Sequence, residues 1–224
     1  PGLAYSQDFS SKSSLGDFRY SNVEDWDWKN DKNGNGYLEI LQPGTYSPPY
    51  RSPRSIAVLD SFFVEDFILE ADVYQKPIPH NCKGEECILC RHRDMCVFWG
   101  IQDSAHFYYA HIAAHTDEVS HQIHIVDNSP RTAITSSRSN GVNWGKNKWN
   151  HVKVVHVEGK TEIYFNDMQK PVLESNDTTF SEGYIGFGSF DEMGKVDNIK
   201  LYTDKYNLRK VEIFSKKIKE DDLH

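Results

Sequence analysis

The sequence predicts an all-β protein in which two antiparallel sheets form a sandwich. Short runs rich in aromatic and β-branched residues alternate apolar and polar positions, and Gly, Pro, Asn, Asp and Ser separate them. Helical periodicity is nearly absent; only residues 206–219 fit a helix as well as a strand. About a dozen strands in 224 residues suit one large β-domain. We therefore expect a domain over residues 1–205, followed by a tail or an extra strand or helix over 206–224.

Composition excludes several classes of partner. The net charge is -8, with Lys and Arg scattered along the chain, which argues against binding to nucleic acid. No run approaches the roughly 20 apolar residues of a membrane helix, so we expect no membrane insertion. Nothing in the sequence indicates an organic cofactor. The opening residues PGLAYSQDFSS resemble a mature or trimmed N terminus and not a signal peptide.

The first half of the chain contains three clear strands, at residues 37–41, 55–59 and 67–74. The first follows Asn33-Gly34-Asn35-Gly36, which is a strong hairpin signal. The proline-rich stretch PGTYSPPYRSP at 43–53 predicts a surface loop.

The second half continues the same pattern after a central stretch. Strands are expected at 132–135, 184–190 and 196–202. A hairpin over Glu158-Gly159-Lys160 joins two further strands, at 149–157 and 161–165.

The central stretch, residues 91–126, predicts three strands and carries the densest functional signal. The strands are expected at 93–101, 106–113 and 121–126, and five of the ten histidines lie between His106 and His124. Side chains on a strand alternate between two faces. One predicted face is aliphatic and belongs to a core: Met95, Val97, Trp99, Ile101, Tyr108, Ala110, Ile112, Ile123 and Ile125.

The opposite face is the candidate site. It mixes His, Gln, Asp and Tyr and lacks Lys; its members are His92, Asp94, Gln102, Tyr109, His111, Gln122 and His124. These side chains offer the hydrogen bonds that sugar hydroxyls need, and Tyr109 offers a ring for stacking. Trp144, in the polar loop NGVNWGKN, is expected to be a second stacking platform. The alternative is a polar, solvated sheet face without a ligand.

Four cysteines lie within fifteen positions, at Cys82, Cys87, Cys90 and Cys96. Two disulfides that fix the loop at 77–89 to a strand are one interpretation. A structural zinc site built from the thiolates is another, and free thiols are the third. A straight strand from Cys90 to Cys96 spans about 20 Å, so these two cannot bond to each other unless the chain reverses.

At the level of whole motifs the chain resembles the concanavalin A-like lectin/glucanase superfamily, over residues 8–202. It is most similar to laminin-G-like and glycosidase-like domains of secreted bacterial proteins, including keto-disaccharide hydrolase domains. The motifs are, in order, Ser52-Pro53, DFILEADV, HRDMCVFWGIQD, HFYYAHIA, WNHVKVV, TEIYFND and GYIGFGSFDEMGKVDNIKLY. This resemblance implies a jelly roll whose concave sheet holds sugar. It does not imply one activity, because the superfamily hosts lectins, hydrolases, lyases and adhesion modules.

The resemblance also implies two enzymatic alternatives. Gln122-Ile123-His124 matches a strand motif of jelly-roll alginate lyases, in which Gln, His and an Arg engage the uronate carboxylate. His124 or His111 would then be the base and Tyr109 the acid. The Arg is the weak point, because Arg93 points toward the core by alternation and Arg131 follows the strand. Retaining glycosidases of the superfamily carry E-x-D-x-x-E on one strand, which this chain lacks, so a hydrolase is disfavoured.

The resemblance further implies a structural calcium ion held by Asp8, in YSQDF, and Asp197, in KVDNI. Plain surface carboxylates are the alternative at these positions. We therefore expect the chain to recognise a polysaccharide or oligosaccharide on the concave sheet, within a secreted or periplasmic glycan-degrading system. The alternatives are a lyase or hydrolase on the same face and a laminin-G-like module that binds protein.

Overall fold

The computed structural model describes residues 1–76 and 93–217, and it is an all-β antiparallel sandwich as predicted. Two large sheets, of nine and seven strands, face each other, and a small two-stranded sheet lies beside them. The described helices are two short 3-10 turns, Lys12–Asp17 and Val23–Asp25. Neither has the length and apolar character that a membrane crossing requires.

The nine-stranded sheet contains strands from both ends of the chain. Its strands are β1 (Leu3–Gln7), β3 (Trp26–Asn30), β4 (Gly36–Ile40), β7 (Phe67–Lys76), β12 (Thr135–Arg138), β13 (Trp149–Val157), β14 (Lys160–Phe165), β15 (Leu173–Ser175) and β17 (Met193–Tyr202). Their spatial order is β12-β15-β14-β13-β7-β17-β4-β3, and β1 pairs with β17.

The seven-stranded sheet holds the central stretch of the sequence. Its strands are β2 (Phe18–Tyr20), β5 (Ser55–Leu59), β8 (Asp94–Asp103), β9 (His106–Ala113), β10 (Gln122–Asp127), β11 (Thr132–Ala133) and β16 (Tyr184–Ser189). Their spatial order is β11-β10-β9-β8-β16-β5-β2. The two-stranded sheet pairs β6 (Ser61–Val64) with β18 (Tyr206–Arg209), so the segment after residue 205 begins as a strand.

The main core lies between the two large sheets. The predicted aliphatic face of β8, β9 and β10 contributes to it, with residues such as Met95, Ala110 and Ile123. From the other sheet, β7 and β13 contribute every second residue, such as Leu69, Ala71 and Val152. Burial of these apolar side chains is worth about 25 cal/mol per Å² and is the main stabilising term of the sandwich.

Both predicted hairpins are present. The Asn-Gly turn joins β3 to β4, where the Asp31 carboxylate accepts hydrogen bonds from the backbone of Asn33 and Asn35 at 2.8 and 3.0 Å. The second hairpin joins β13 to β14, and Glu158 and Gly159 both have positive φ, 50° and 82°. Two successive residues with positive φ give the turn whose twist matches that of the flanking strands.

A bulge in β8 reverses the predicted alternation at one point. Gly100 has a φ of 60°, and the pairing of β8 with β9 shifts register between Trp99 and Asp103. Trp99 therefore lies in the main core, as predicted, whereas Ile101 lies on the opposite face. The prediction that Ile101 shares the core face with Trp99 is wrong, because the bulge inserts an extra residue into the strand.

The outer face of the seven-stranded sheet, which points away from the main core, is covered. A second apolar cluster lies on it; it includes Phe98, Phe107, Tyr109, Val126 and Val211. Distant segments pack over this face, and their contributions include Tyr46, Tyr50, Phe190, Ile213 and Phe214. The prediction of an open, solvated polar face is wrong.

Candidate functional site

Five of the predicted site residues form a buried polar cluster on the outer face of the seven-stranded sheet. We use this name for Asp94, Cys96, Tyr109, His111 and His124. In the antiparallel register, Cys96 lies opposite His111, and Tyr109 lies opposite His124. The exposed fraction of each of the five residues is 6% or less. The alternation of the sequence thus brings these side chains to one face, as predicted, but not to solvent.

Phe190, which follows β16, covers the cluster. Its ring centroid is 5.9 Å from that of Tyr109 and 5.4 Å from that of His111, both in edge-on geometry. The Arg131 guanidinium lies 5.2 Å above the Phe190 ring and donates a hydrogen bond of 2.9 Å to the Tyr109 hydroxyl. The His124 ring stacks on Tyr109 with centroids 5.0 Å apart. The sequence did not predict Arg131 or Phe190 in this arrangement, since both follow their strands.

Burial sets the charge states in the cluster. It lowers the pKa of His124 to about 3, and the positive Arg131 acts in the same direction, so His124 is neutral. Burial alone would also lower the pKa of His111, but the Asp94 carboxylate reverses the effect and raises it. Glu192, another buried carboxyl group, has a pKa raised to about 8 by burial and by the negative charge of Asp94.

The remaining predicted site residues lie elsewhere. Gln122 is half-buried at the edge of the cluster, opposite His111. Gln102 follows the bulge and is exposed, where its amide donates to the backbone carbonyl of Glu182. Trp144 is 1% exposed and packs edge-on against Phe165 at 4.8 Å, so the prediction that it is a sugar-stacking platform is wrong.

Four further predictions concern the segment before β8. His92, Cys82, Cys87 and Cys90 lie outside the described residues. Cys96 is a free thiol, 1% exposed, so the prediction that it takes part in a disulfide is wrong. Its side chain points to the face that holds His111, away from the main core.

A second site lies on the outer face of the nine-stranded sheet and is open. We call it the acidic cleft and define it by Asp8, Asp31, Asp72, Asp197 and Trp149, which line a volume of about 620 Å³. The strands set this arrangement directly. In the register, His151 lies opposite Asp72, which in turn lies opposite Asp197, while Trp149 lies opposite Tyr74 in the adjacent row.

Aromatic side chains form one wall of the acidic cleft. Trp149 is 37% exposed and contacts Tyr37 and Tyr74 edge-on, with centroids 5.9 and 5.5 Å away. The Lys195 ammonium lies over both tyrosine rings, at 4.4 and 4.5 Å. The Tyr74 hydroxyl donates to Asn147 at 2.8 Å. These contacts hold the Trp149 indole in place and leave part of it facing solvent.

Asp72 and Asn198 form the polar floor of the acidic cleft, and His151 and Glu70 line the adjoining cavity, which shares these two residues. The two oxygens of Asp72 accept from Asn198 Nδ2 at 2.8 Å and from His151 Nδ1 at 2.9 Å. His151 Nε2 lies 3.0 Å from Glu70 Oε1. Burial alone would lower the pKa of His151, but its hydrogen bonds to Glu70 and Asp72 raise it. The His151 ring therefore bridges the two carboxylates, and this arrangement favours its charged form.

The two predicted calcium ligands both line this cleft. Asp197 is half-buried, and burial raises its pKa to about 6, with the negative charges of Asp72, Asp8 and Asp31 adding to the effect. Crowded carboxylates of this kind attract a cation, and Ca²⁺ prefers oxygen ligands. Calcium at Asp8 and Asp197 stays a prediction.

Sequence reasoning missed the acidic cleft, although the signal was present. Strand β7, FILEADVYQK, buries every second residue, so Glu70, Asp72 and Tyr74 share its outer face. Strand β13, WNHVKVVHV, does the same and turns Trp149 and His151 outward. The same alternation rule that located the buried polar cluster would have located these residues.

Comparison with known proteins gives the fold. No family model and no curated protein matches the chain. The structure is similar to the carbohydrate-binding module CBM66 from Bacillus subtilis, with 18% identity, a TM-score of 0.56, and coverage of 84% of this chain and 96% of that one. It is also similar to domain 4 of AbnA, a GH43 extracellular arabinanase from Geobacillus stearothermophilus, solved with arabinotriose, with 12% identity, a TM-score of 0.52, and coverage of 93% and 94%.

A third similar structure is peanut lectin with a bound peptide, at 11% identity and a TM-score of 0.52, with coverage of 92% of this chain and 99% of that one. All three similarities extend over most of both chains, and at these identities they establish the fold. The chain has the concanavalin A-like fold, an antiparallel sandwich of two sheets.

Proposed function

We propose that this protein binds a polysaccharide or oligosaccharide and that the sugar lies in the acidic cleft. The observation that carries the proposal is Trp149, a partly exposed indole held in a fixed orientation by two tyrosines at the wall of an open, polar cleft. Sugar rings present flat C–H faces that pack on an indole. A tryptophan that served only the core would be covered, as Trp99 and Trp144 are.

The floor of the cleft supplies the polar half of the recognition. The Asp72 carboxylate and the Asn198 amide accept and donate hydrogen bonds, and His151 fixes Asp72 in place. These side chains project from β13, β7 and β17, and sites on strands are held more rigidly than sites on loops. The volume of about 620 Å³ falls within the range typical of small-molecule sites.

The charge of the cleft selects the class of sugar. Four aspartates line it, so uronic acids meet repulsion, whereas neutral sugars and amino sugars do not. The sheet differs from the one we expected from the sequence, because the outer face of the seven-stranded sheet is covered. The sugars and enzymes named for the similar structures support a role in a glycan-degrading system outside the cytoplasm.

A binding experiment with one variant tests the proposal. The protein is screened on a glycan array, and the affinity for the best glycan is measured by calorimetry for the wild type and for Trp149→Ala. Loss of the stacking surface should weaken binding at least about tenfold, equivalent to about 1.4 kcal/mol. Trp149→Phe, which keeps an aromatic face, should restore part of the affinity.

The matched control is Tyr206→Ala, which removes another exposed aromatic, on the two-stranded sheet and outside the cleft. It should bind as the wild type does. Equal affinities for the wild type and Trp149→Ala would contradict the proposal. A wild type that binds no glycan would favour a module that binds protein.

A second candidate function is a lyase that acts on uronate-containing glycans. One observation favours it: Arg131 bonds to the Tyr109 hydroxyl, and His124 stacks on the same ring, so an arginine lies beside the candidate acid and the candidate base. Elimination creates a conjugated double bond, so ultraviolet absorbance should rise when the protein is mixed with uronic polymers. Unchanged absorbance across alginate, glucuronan and ulvan would exclude this function.

A further inference from the structure

Three potential metal ligands converge inside the buried polar cluster. Asp94 and Cys96 are two residues apart on β8 and share a face, and His111 lies opposite Cys96 on β9. One ligand atom from each, a carboxylate oxygen, the Cys96 Sγ and a His111 ring nitrogen, lie within 4.8 Å of one another. Their exposed fractions are 4%, 1% and 6%. Adjacent strands in fixed register hold all three donors.

Among the described residues, the protein leaves one carboxylate oxygen of this group without a hydrogen bond and sets the carboxylate against the His111 ring. His111 Nδ1 donates to the Val119 carbonyl oxygen at 3.2 Å, which leaves Nε2 directed at the Asp94 carboxylate. Nε2 lies 2.9 Å from Asp94 Oδ2, within ion-pair distance, and Asp94 Oδ1 has no hydrogen-bond partner among residues 1–76 and 93–217. A buried carboxylate and imidazole this close are stabilised by a proton or by a metal cation between them.

The geometry and the donor types point to a metal ion as that cation. We propose that Asp94, Cys96 and His111 bind one zinc ion. Imidazole nitrogen, thiolate and carboxylate are zinc's usual ligands, at about 2.0–2.1, 2.3 and 2.0–2.2 Å. A tetrahedral site with these bond lengths needs its nitrogen and oxygen about 3.3 Å apart, and His111 Nε2 and Asp94 Oδ2 are 2.9 Å apart.

The charges and the outer contacts also fit. A thiolate and a carboxylate together balance a divalent cation, which removes the cost of burying Asp94 alone. The hydrogen bond from His111 Nδ1 to a backbone carbonyl is the contact that orients metal-binding histidines. This site differs from the zinc site predicted from the four clustered cysteines. Here Cys96 binds the metal together with Asp94 and His111, and no other cysteine takes part.

The experiment uses the full chain, stripped of metal by chelation and then titrated with Zn²⁺ or Co²⁺. One equivalent should bind. The Co²⁺ form should show tetrahedral visible bands and a near-ultraviolet charge-transfer band with the intensity of one thiolate. A band with the intensity of three or four thiolates would overturn the proposal in favour of the cysteine cluster, and this readout needs no variant.

Variants locate the site independently. Asp94→Asn and His111→Gln should each weaken zinc binding by more than about 100-fold, since even the loss of an outer contact costs about 10–100-fold. Cys96→Ser should remove the charge-transfer band. The combined variant Cys82→Ser, Cys87→Ser, Cys90→Ser should keep one equivalent of metal and the band.

Far-ultraviolet circular dichroism establishes that each variant is folded. A wild type that binds no zinc would overturn the proposal and leave Asp94 and His111 as an ion pair. The proposal would also be overturned if the combined cysteine variant lost the metal. Unchanged zinc affinity in both Asp94→Asn and His111→Gln would overturn it too.

Discussion

At the residue scale, Asp197 is a residue of the acidic cleft whose charged form lowers the stability of the fold. Its carboxylate is half-buried among Asp72, Asp8 and Asp31, and burial together with these charges raises its pKa from the ordinary 3.8 to about 6. The protein must therefore hold an unfavourable negative charge at neutral pH. A residue that destabilises the ligand-free protein is often one that binds the ligand.

This pKa shift predicts a pH-dependent effect of Asp197→Asn. A raised carboxyl pKa means that the folded state binds more protons than the unfolded state between pH 3.8 and about 6, so stability falls as the pH rises through this window. The variant lacks this penalty. Above pH 6 it should be more stable than the wild type by about 1 kcal/mol after solvent screening, or about 2–4 °C in Tm.

Thermal unfolding followed from pH 3 to pH 8 measures the difference. It should vanish in the acidic part of the range, where Asp197 is protonated in both states. The asparagine keeps the 2.7 Å hydrogen bond from the backbone N–H of Asn198, so the local backbone is preserved. A variant that is less stable at neutral pH would contradict the account of Asp197.

Calcium gives a separate prediction at the same residues. If Asp8 and Asp197 hold Ca²⁺, then millimolar calcium chloride should raise the Tm of the wild type, because a ligand that binds only the folded state stabilises it. The increase should disappear with EDTA and in Asp197→Asn. Equal melting curves with and without calcium would leave these two residues as surface carboxylates.

At the element scale, the bulge at Gly100 determines which residues of β8 share a face. Its φ of 60° is a left-handed conformation that glycine adopts without cost. A Cβ at this position would lie 2.8 Å from Tyr108 Cδ2. The bulge turns Ile101 outward and ends the alternation that Met95, Val97 and Trp99 follow.

Gly100→Ala should therefore destabilise the protein by about 1–3 kcal/mol, from the backbone conformation and the contact with Tyr108. Urea unfolding measures this difference. Gly16→Ala is the matched control, because no atom lies within 4 Å of its added Cβ, and it should change stability by no more than about 0.5 kcal/mol. Equal losses in the two variants would mean that Gly100 imposes no bulge.

The sequence correctly predicted those features that depend on local residue patterns, namely the faces of the strands and the positions of the turns. Alternation correctly separated Val97 and Tyr108 from Tyr109 and His124. The Asn-Gly turn and the turn at Glu158-Gly159 correctly marked the two hairpins. A glycine inside a strand often marks a bulge, so the outward orientation of Ile101 could have been predicted from Gly100. Trp144 was misassigned because its neighbours are polar, although its ring packs on Phe165, which is distant in sequence.

At the scale of the whole molecule, the two outer faces of the sandwich have opposite character. The seven-stranded sheet is covered by the segment around Phe190, by the proline-rich loop and by residues 211–214. The nine-stranded sheet leaves Trp149 and the aspartates open. Strand alternation says which side chains share a face, but which face is covered depends on segments far apart in the chain. This is why the predicted site residues came together correctly and yet lie buried.

A crystal structure of the protein with the best glycan from the array tests the central claim most directly. The account predicts a neutral or amino sugar with a ring packed on Trp149 and hydroxyls bonded to Asp72 and Asn198. Sugar density over Phe190 on the seven-stranded sheet, or in the loop cleft lined by Arg51 and Arg54, would contradict it.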